Sequence, residues 1–533
     1  MSEQLPKGWS WLRLEDFAAS EPNAITDGPF GSNLKSSDYV EGGEVRVIRL
    51  GNLGVGRFID DDKSFVTKAK FATLTKHEAR AGDLVVAALA EPVGRCVEIP
   101  ERVGLAMVKA DCIRVRVNPV FDRRYLMHAL NSPDGRRRAE AAAHGMGRLR
   151  INLGDLRTLM IPAAPPDEQR RIVAKLEALQ SQSRRAREAL DAVPTLLEKL
   201  RQSILGAAFR GDLTKDWRAK KKDVEPASKL LERIRAERRK KWEESELAKL
   251  KARGKAPTDD KWKAKYKEPA PVDTTGLPEL PEGWCWAAWR EVGFSQNGRA
   301  FPSAEYSEDG EKLLRPGNLH VSGKLDWTAA NTRRMPHKWA QEFPDFIVGE
   351  NELVMNLTAQ SLKDEFLGRV CLSGPGERCL LNQRLARLTP VGLPPHYWLW
   401  FFKSPMFRRY VDTLNTGSLI QHMFTSQLDE LAVPIMPIAE ANLLIERISG
   451  RLESARAITI LVNEESARLP ELDRALLAKA FRGELVPQEP NDESAATMLA
   501  RLHQPSSANI RNARATKVKR TTRGINGPRQ EEA

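Results

Sequence analysis

The chain repeats itself, and the second copy begins about halfway along its 533 residues. Tyr125-Leu126 followed by Ser132-Pro133 returns as Tyr397-Trp398 followed by Ser404-Pro405. Ile161-Pro162 returns as Val433-Pro434, and Ala208-Phe209-Arg210-Gly211-Asp212-Leu213 as Ala480-Phe481-Arg482-Gly483-Glu484-Leu485. All three pairs are 272 positions apart. The openings Leu5-Pro6-Lys7-Gly8-Trp9 and Leu280-Pro281-Glu282-Gly283-Trp284 match as well. A period this long marks a duplicated domain pair, far beyond the repeat of a solenoid. Two similar halves in one chain form a pseudo-dimer, which suits a target with two half-sites, and duplex DNA is the usual such target.

Charge and cysteine usage narrow the class. The formal net charge is +13, but it is concentrated: residues 215–268 hold 20 Lys/Arg against 11 Asp/Glu, and residues 511–533 hold 7 against 2. A linker and a tail therefore carry the basic balance, and a polyanion partner is implied for those segments rather than for the folded halves. The five cysteines are scattered without a CxxC pair, which argues against zinc ribbons and disulfide frameworks. No apolar run has the length of a membrane span and Met1 to Trp11 has no signal pattern. A cytoplasmic protein with reduced thiols and no membrane partner is expected.

Each half reads as a strand-rich block followed by a long helix, an α+β arrangement. Val45-Arg46-Val47-Ile48, Asp83-Leu84-Val85-Val86 and Glu352-Leu353-Val354-Met355 predict strands, with one helix near Tyr125–Leu130 and another over Tyr397–Tyr410. The long helix carries apolar residues at alternating steps of four and three: Ile172, Leu176, Leu179, Ala186, Leu190, Val193, Leu197, Leu200 and Ile204. That heptad seam predicts a coiled coil. The second copy has Ile445, Ile448, Leu452, Ala455, Val462, Leu469, Leu472 and Leu476. A single seam stays exposed, and the matching helix of the other half is the expected partner, paired antiparallel with pseudo-two-fold symmetry. Pro194 and Pro470 are expected to kink or interrupt the helices. At ~40 residues each would span roughly 60 Å. The boundaries expected are a first strand-rich domain over 1–165, its helix over 166–213, a basic helical linker over 214–276, a second strand-rich domain over 277–437, its helix over 438–486, and a basic, disordered tail over 487–533. Within the linker, Lys255 to Thr275 reads as an exposed tether.

No catalytic or metal site is legible. Leu393-Pro394-Pro395-His396 lacks the amide or carboxylate acceptor and the stacking aromatic of an adenine methyltransferase motif. Gly51-Asn52-Leu53-Gly54-Val55-Gly56 reads as a turn, since a strand rather than a helix should follow. Carboxylates near Asp345, Glu350 and Glu352 lack a following lysine, and the eight histidines show no metal spacing.

Taken together, these motifs resemble the specificity subunit of type I restriction-modification enzymes over about residues 5–502. The resemblance rests on Leu-Pro-x-Gly-Trp opening each half and on Ile161-Pro162…Pro165-Pro166-Asp167-Glu168-Gln169…Ile172-Val173 entering the first long helix. Phe-Arg-Gly-Asp/Glu-Leu closes both helices. The second copy keeps Glu440 but has Ala441 where Gln169 stands. The resemblance implies a non-catalytic subunit in which each strand-rich domain reads half of a bipartite double-stranded DNA target. The two helices would set the spacer and dock two modification subunits, with two restriction (motor) subunits completing the complex. This chain would bind no cofactor; S-adenosylmethionine, ATP and Mg2+ would belong to the partners. The competing readings are a single-chain methyltransferase-nuclease, which the missing motifs disfavour, and a coiled-coil scaffold without a DNA role.

Base readers should be Arg, Lys, Asn, Gln or Ser on loops and strand edges. In the first half the candidates are Ser32, Asn33, Lys35, Arg49, Asn52, Arg57, Lys109, Arg148 and Arg150. In the second they are Arg299, Arg315, Asn318, Asn382, Gln383, Arg384, Ser418, Gln421 and His422. Arg49/Asn52 and Arg315/Asn318 recur in both halves, so they read as phosphate clamps or turn formers rather than as discriminating groups. Helix pairing is assigned to Ile172, Leu176, Leu179, Leu190, Leu197, Leu200, Ile445, Ile448, Leu452, Leu469 and Leu472.

Overall fold

The computed structural model describes residues 4–503, apart from 90, 146, 253–256, 258, 361–364 and 415–420. The chain divides into two compact units, one built from residues up to Asp191 and from Asn463 onward, the other from Ala192–Val462. The cuts fall inside the long helices rather than at their ends, because each half-helix packs on a different strand-rich domain.

The two units are built alike. In the first, a four-stranded sheet has the order Ile25–Asp27, Cys112–Val115, Leu84–Ala87, Cys96–Glu98. In the second, the order is Gly293–Asn297, Leu385–Pro390, Leu353–Asn356, Val370–Leu372. A second sheet follows in each, centred on one parallel pair: Val45–Ile48 with Ala106–Val108, and Glu311–Leu314 with Cys379–Leu381. A two-stranded ribbon joins the start of each domain to its end, Ser10–Arg13 with Met160–Ala163 and Cys285–Ala288 with Ala432–Ile435.

The strand Leu84-Val85-Val86-Ala87 shows why these runs are apolar throughout. Alternate side chains face opposite sides of a sheet. Leu84 and Val86 join the core shared with the helices, while Val85 and Ala87 join the core between the two sheets. Leu353 and Met355 against Val354 repeat the division. Both faces are covered, so no polar alternation survives.

Each expected short helix is two. Arg123–Asn131 and Pro133–Ala141 meet at Ser132, and Pro395–Phe402 and Pro405–Thr413 meet near Ser404. In both units the serine caps the second helix, with proline at its first position. The long helices, Pro166–Phe209 and Ile438–Phe481, run through Pro194 and Pro470 without a break, so of the expected kink or interruption the structure excludes the interruption. A proline removes one backbone donor, and the turns on either side keep the helix continuous. The second helix starts despite Ala441, which is buried.

The seam is tight at the helix ends and loose toward the middle. In the first unit Ile172, Val173 and Leu176 pack with Leu477, Ala480 and Phe481, and Arg187 pairs with Asp473 at 3.5 Å. Rising numbers on one helix meet falling numbers on the other, so the half-helices are antiparallel. In the second unit Leu205, Ala208 and Phe209 pack with Ala441, Leu444 and Ile448. Ile445 and Leu452 pack at its margin, and Leu179, Leu190, Leu197 and Leu469 are half-buried. Leu200 and Leu472 are 44% and 50% exposed and belong to neither of these two cores.

The basic linker contains the helix expected of it, and the start of that helix packs into the second unit. Ala227–Ala252 is a helix whose first turns, Ala227, Leu230, Leu231 and Ile234, are buried in the core of the second unit. The segment after it is not a bare tether: Trp262 stacks on Trp242 at 6.3 Å, and Tyr266 lies 5.2 Å from the same ring. The shorter helix Ala495–His503 docks in the first unit through Ala495 and Met498. The tail from Pro505 lies outside the described residues.

Candidate nucleic-acid interface

The repeated motifs converge on a joint between the strand-rich domain and the helices. Trp9 donates its indole N–H to Glu168 at 3.1 Å, and Trp284 to Glu440 at 2.9 Å. The Tyr125 hydroxyl donates to the Pro162 carbonyl at 2.8 Å, and Tyr397 donates to Pro434. Phe481 stands edge-on to Tyr125 at 5.2 Å, and Phe209 edge-on to Tyr397 at 5.5 Å. The carbonyls of Gly8 and Gly283 accept from Ala495 and Ala227 at 3.0 and 2.8 Å. Pro6 lies against Gly483 and Pro281 against Gly211, where a Cβ would collide with the proline ring. The opening of each copy thus seats on the helix end of the other copy, and the shared motifs are structural.

The two joints differ in charge. Glu440 accepts from Thr214 at 2.6 Å and pairs with Arg218. Glu168 has Trp9 and, at 3.4 Å, Gln488. Burial raises the Glu168 carboxyl above its usual range, with the two side-chain hydrogen bonds opposing.

At one end of each four-stranded sheet the loops draw together, and here the copies share backbone but not side chains. Three main-chain hydrogen bonds match. Lys109 N donates to Ile48 O at 2.9 Å, as Asn382 N does to Leu314 O at 3.2 Å. Ala88 N donates to Asp111 O at 2.8 Å, as Leu357 N does to Arg384 O at 3.0 Å. Ile151 N donates to Ala88 O at 2.9 Å, as Met423 N does to Leu357 O at 3.0 Å. Gly28 and Gly298 sit at the same place in this frame, and a Cβ on either would overlap the backbone of Lys109 or Asn382. On this common frame Lys109 is replaced by Asn382, Asp111 by Arg384, and Arg150 by His422.

The sequence candidates fall into two groups. Ser32, Asn33 and Lys35 are exposed on the loop after Gly28, Arg148 is exposed, and Lys109 and Arg150 are half-buried at the same edge. Arg150 pairs with Asp111 at 2.8 Å and lies 5.1 Å over the Phe30 ring; Lys109 lies 5.7 Å over Tyr39. In the second unit Gln383, Arg384 and His422 are exposed, and Arg299, Asn382 and Gln421 are half-buried. Arg299 stacks 3.6 Å over Phe343 and bridges to Asn382. Thr358 pairs with His422 across the short ribbon that carries Gln421. Ser418 lies outside the described residues.

Arg49, Asn52, Arg315 and Asn318 lie on a turn that both units repeat, directly after Ile48 and Leu314. Asn52 Oδ1 accepts from Arg49 N at 3.0 Å and Asn318 Oδ1 from Arg315 N at 2.9 Å. Both asparagines are fully buried, so they are turn formers and leave the DNA-contact set. The Arg49 side chain is held by Ser64 and Asp62 at 2.9 and 3.3 Å, while Arg315 is half-buried beside its turn. Arg57 is exposed away from the edge, beside a groove on the long helix. Sequence reasoning missed Phe30, Asp111, Phe343 and Thr358, which support or complete the edge. The recurrence of glycine at 28 and 298 was the signal that would have found them.

Among the described residues no group of three or more His, Cys, Asp or Glu is placed to hold a metal, and no helix is long and apolar enough to cross a membrane. No family model matches the chain. It is 23% identical over 384 residues to the type I restriction enzyme EcoAI specificity subunit of Escherichia coli, covering 64% of this chain and 62% of that one. The match to the EcoDI specificity subunit, also from Escherichia coli, is 22% over 63% and 65%. The chain thus spans just under two thirds of these two relatives. The match to the EcoKI specificity subunit of Escherichia coli strain K12 is 24% over 91% of both chains. In fold it is similar to the crystal structure of the HsdS subunit from Thermoanaerobacter tengcongensis, at a TM-score of 0.52, 17% identity, and 91% and 99% coverage. A chain from a structural study of complex assembly in the type I R-M system gives a TM-score of 0.55 at 17% identity, with 90% and 99% coverage. In sequence the chain is thus similar to type I restriction-enzyme specificity subunits, and in fold to the HsdS subunit.

Proposed function

We propose that the chain is the non-catalytic DNA-recognition subunit of a type I restriction-modification complex, and that each unit reads one half of a bipartite sequence at its strand-end edge. The observation that carries this is the matched frame: three equivalent main-chain hydrogen bonds present Lys109, Asp111 and Arg150 in one unit and Asn382, Arg384 and His422 in the other. Common backbone with different polar side chains is what two readers of different sequences require. Asn and Arg suit adenine and guanine edges respectively. In this reading the long helices set the spacer and dock two modification subunits. Those subunits supply S-adenosylmethionine chemistry, and two motor subunits supply ATP- and Mg2+-dependent translocation and cleavage.

The test is methylome sequencing of the host with and without the gene. The expected result is loss of one bipartite methylated motif. Methyl transfer to DNA by the pure chain alone, incubated with labelled S-adenosylmethionine, would overturn the non-catalytic part and favour a single-chain enzyme.

A further inference from the structure

At the end of the first unit's four-stranded sheet opposite to the proposed reading edge, an open groove of about 1160 Å3 separates the target domain from the first long helix. Leu84 pairs with Glu98 at this end, while Val86 pairs with Cys96 toward the other, so Gly82, Glu98 and Arg102 line the groove and Ala88 belongs to the reading edge. Five arginines line it: Arg57, Arg102, Arg123, Arg124 and Arg184. Three of them are engaged within the protein. Arg102 reaches Asp60 at 3.4 Å, Arg123 pairs with Glu98 at 2.7 Å, and Arg124 pairs with Glu98 and Glu177 at 3.0 Å each. Arg57, on the domain side, and Arg184, on the helix side, are exposed, and neither has a side-chain partner among the described residues. A third polar group is also unsatisfied. His128 lines the groove at 5% exposure, and its Nε2 is buried without a hydrogen-bond partner among the described residues. Burial lowers this imidazole to about 4, so it is neutral near pH 7 and can give a hydrogen bond without adding charge. A buried polar atom left unpaired is costly.

We infer that this groove takes an extended acidic peptide segment of a partner protein, its carboxylates bridging Arg57 and Arg184 and its backbone or a side chain satisfying His128. Guanidinium groups favour carboxylates through paired charge-assisted hydrogen bonds. A DNA phosphate would satisfy the arginines equally well. The groove lies at the sheet end away from the proposed reading edge, however, and that placement favours a protein. The inference uses the DNA reading only for this exclusion.

The test uses the full chain and a fluorescent octa-glutamate peptide carrying a photo-crosslinker. Binding is followed by anisotropy, and crosslinks are mapped by mass spectrometry. The expected result is crosslinks at residues 56–58, 98–102 or 180–184, with affinity about ten-fold weaker in the Arg57→Ala/Arg184→Ala double variant. Both positions are exposed, so the melting temperature should not move. His128→Phe should weaken binding without changing charge. Crosslinks confined to the basic linker or tail would overturn the inference, as would affinity unchanged in the double variant. A labelled DNA duplex crosslinking at these residues in place of the peptide would also overturn it. None of these readouts requires sequence-specific DNA recognition, so failure here is distinct from failure of the proposed function.

Discussion

The joint and the candidate edge of each unit lie in the same domain, yet the two copies compare in opposite ways at these places. At the joint the side chains are kept: Trp9 and Trp284 donate to Glu168 and Glu440, and Tyr125 and Tyr397 donate to Pro162 and Pro434. At the edge the backbone hydrogen bonds are kept and the side chains differ, with Asp111 in one unit where Arg384 stands in the other. A joint must fill the same volume and satisfy the same buried groups in both copies. An edge facing solvent has no such constraint, so it can diversify without loss of stability. Repeated residues in this chain therefore mark packing, and divergent residues on a repeated backbone mark the candidate site.

The largest expected effect is at the helix ends. Leu176→Asp or Leu205→Asp places a carboxylate in a fully buried position and should cost about 4 kcal/mol, read as a large drop in melting temperature or as loss of folded protein. Leu200→Asp is the control, since Leu200 is exposed and the change should stay within about 0.5 kcal/mol. Equal damage from all three would mean that the seam is tight along its whole length.

The two joints should next be separable by charge. Glu440→Gln leaves Arg218 beside a buried site without its counter-ion and should destabilise by about 3 kcal/mol. Glu168→Gln keeps an acceptor for Trp9 and removes a carboxylate that burial disfavours, so it should stabilise at pH 7. The sign follows from linkage. With its folded pKa raised above 4.5, Glu168 binds a proton more tightly in the folded state. Its unfavourable contribution is absent below about 4.5 and grows as pH rises through the folded value. The melting-temperature advantage of Glu168→Gln should therefore be small at pH 4 and larger at pH 7. An advantage independent of pH would show that the carboxylate charge is not the cause.

The smallest effects on stability belong to the edge, where changes should appear in DNA binding instead. Arg384→Ala, at an exposed position, should leave melting unchanged. It should cost about 1–3 kcal/mol of discrimination in the second half-site alone, measured with sequence-substituted duplexes and the assembled modification complex. Asn318→Ala should do the reverse, because it removes a fully buried turn former.

Much of the architecture was legible because duplication supplies its own comparison. The strand-rich blocks and the long helices follow from apolar patterning and from two copies of the same motifs. The continuity of the helices through Pro194 and Pro470 was not legible, since local propensity disfavours proline and the flanking turns override it. Leu200 and Leu472 show the limit of a heptad reading: the period marks a face of a helix, and the packing of neighbouring elements decides where that face is covered. The candidate edge is legible in part because Arg, Asn and Gln in loops stand out. Phe30 and Phe343 did not, since an aromatic under a guanidinium looks like any core residue in one dimension. Asn52 and Asn318 look like readers in sequence because the same side-chain amide that pairs with adenine also closes a turn.

The most direct test of independent reading is a domain exchange. Residues 280–432, which carry the second edge, would be replaced by the corresponding domain of a relative with a different target. The methylated sequence would then be determined for the complex with its modification subunits. The account predicts a new sequence in one half of the target, with the other half and the spacer unchanged. A change in both halves together, or no change in either, would contradict it.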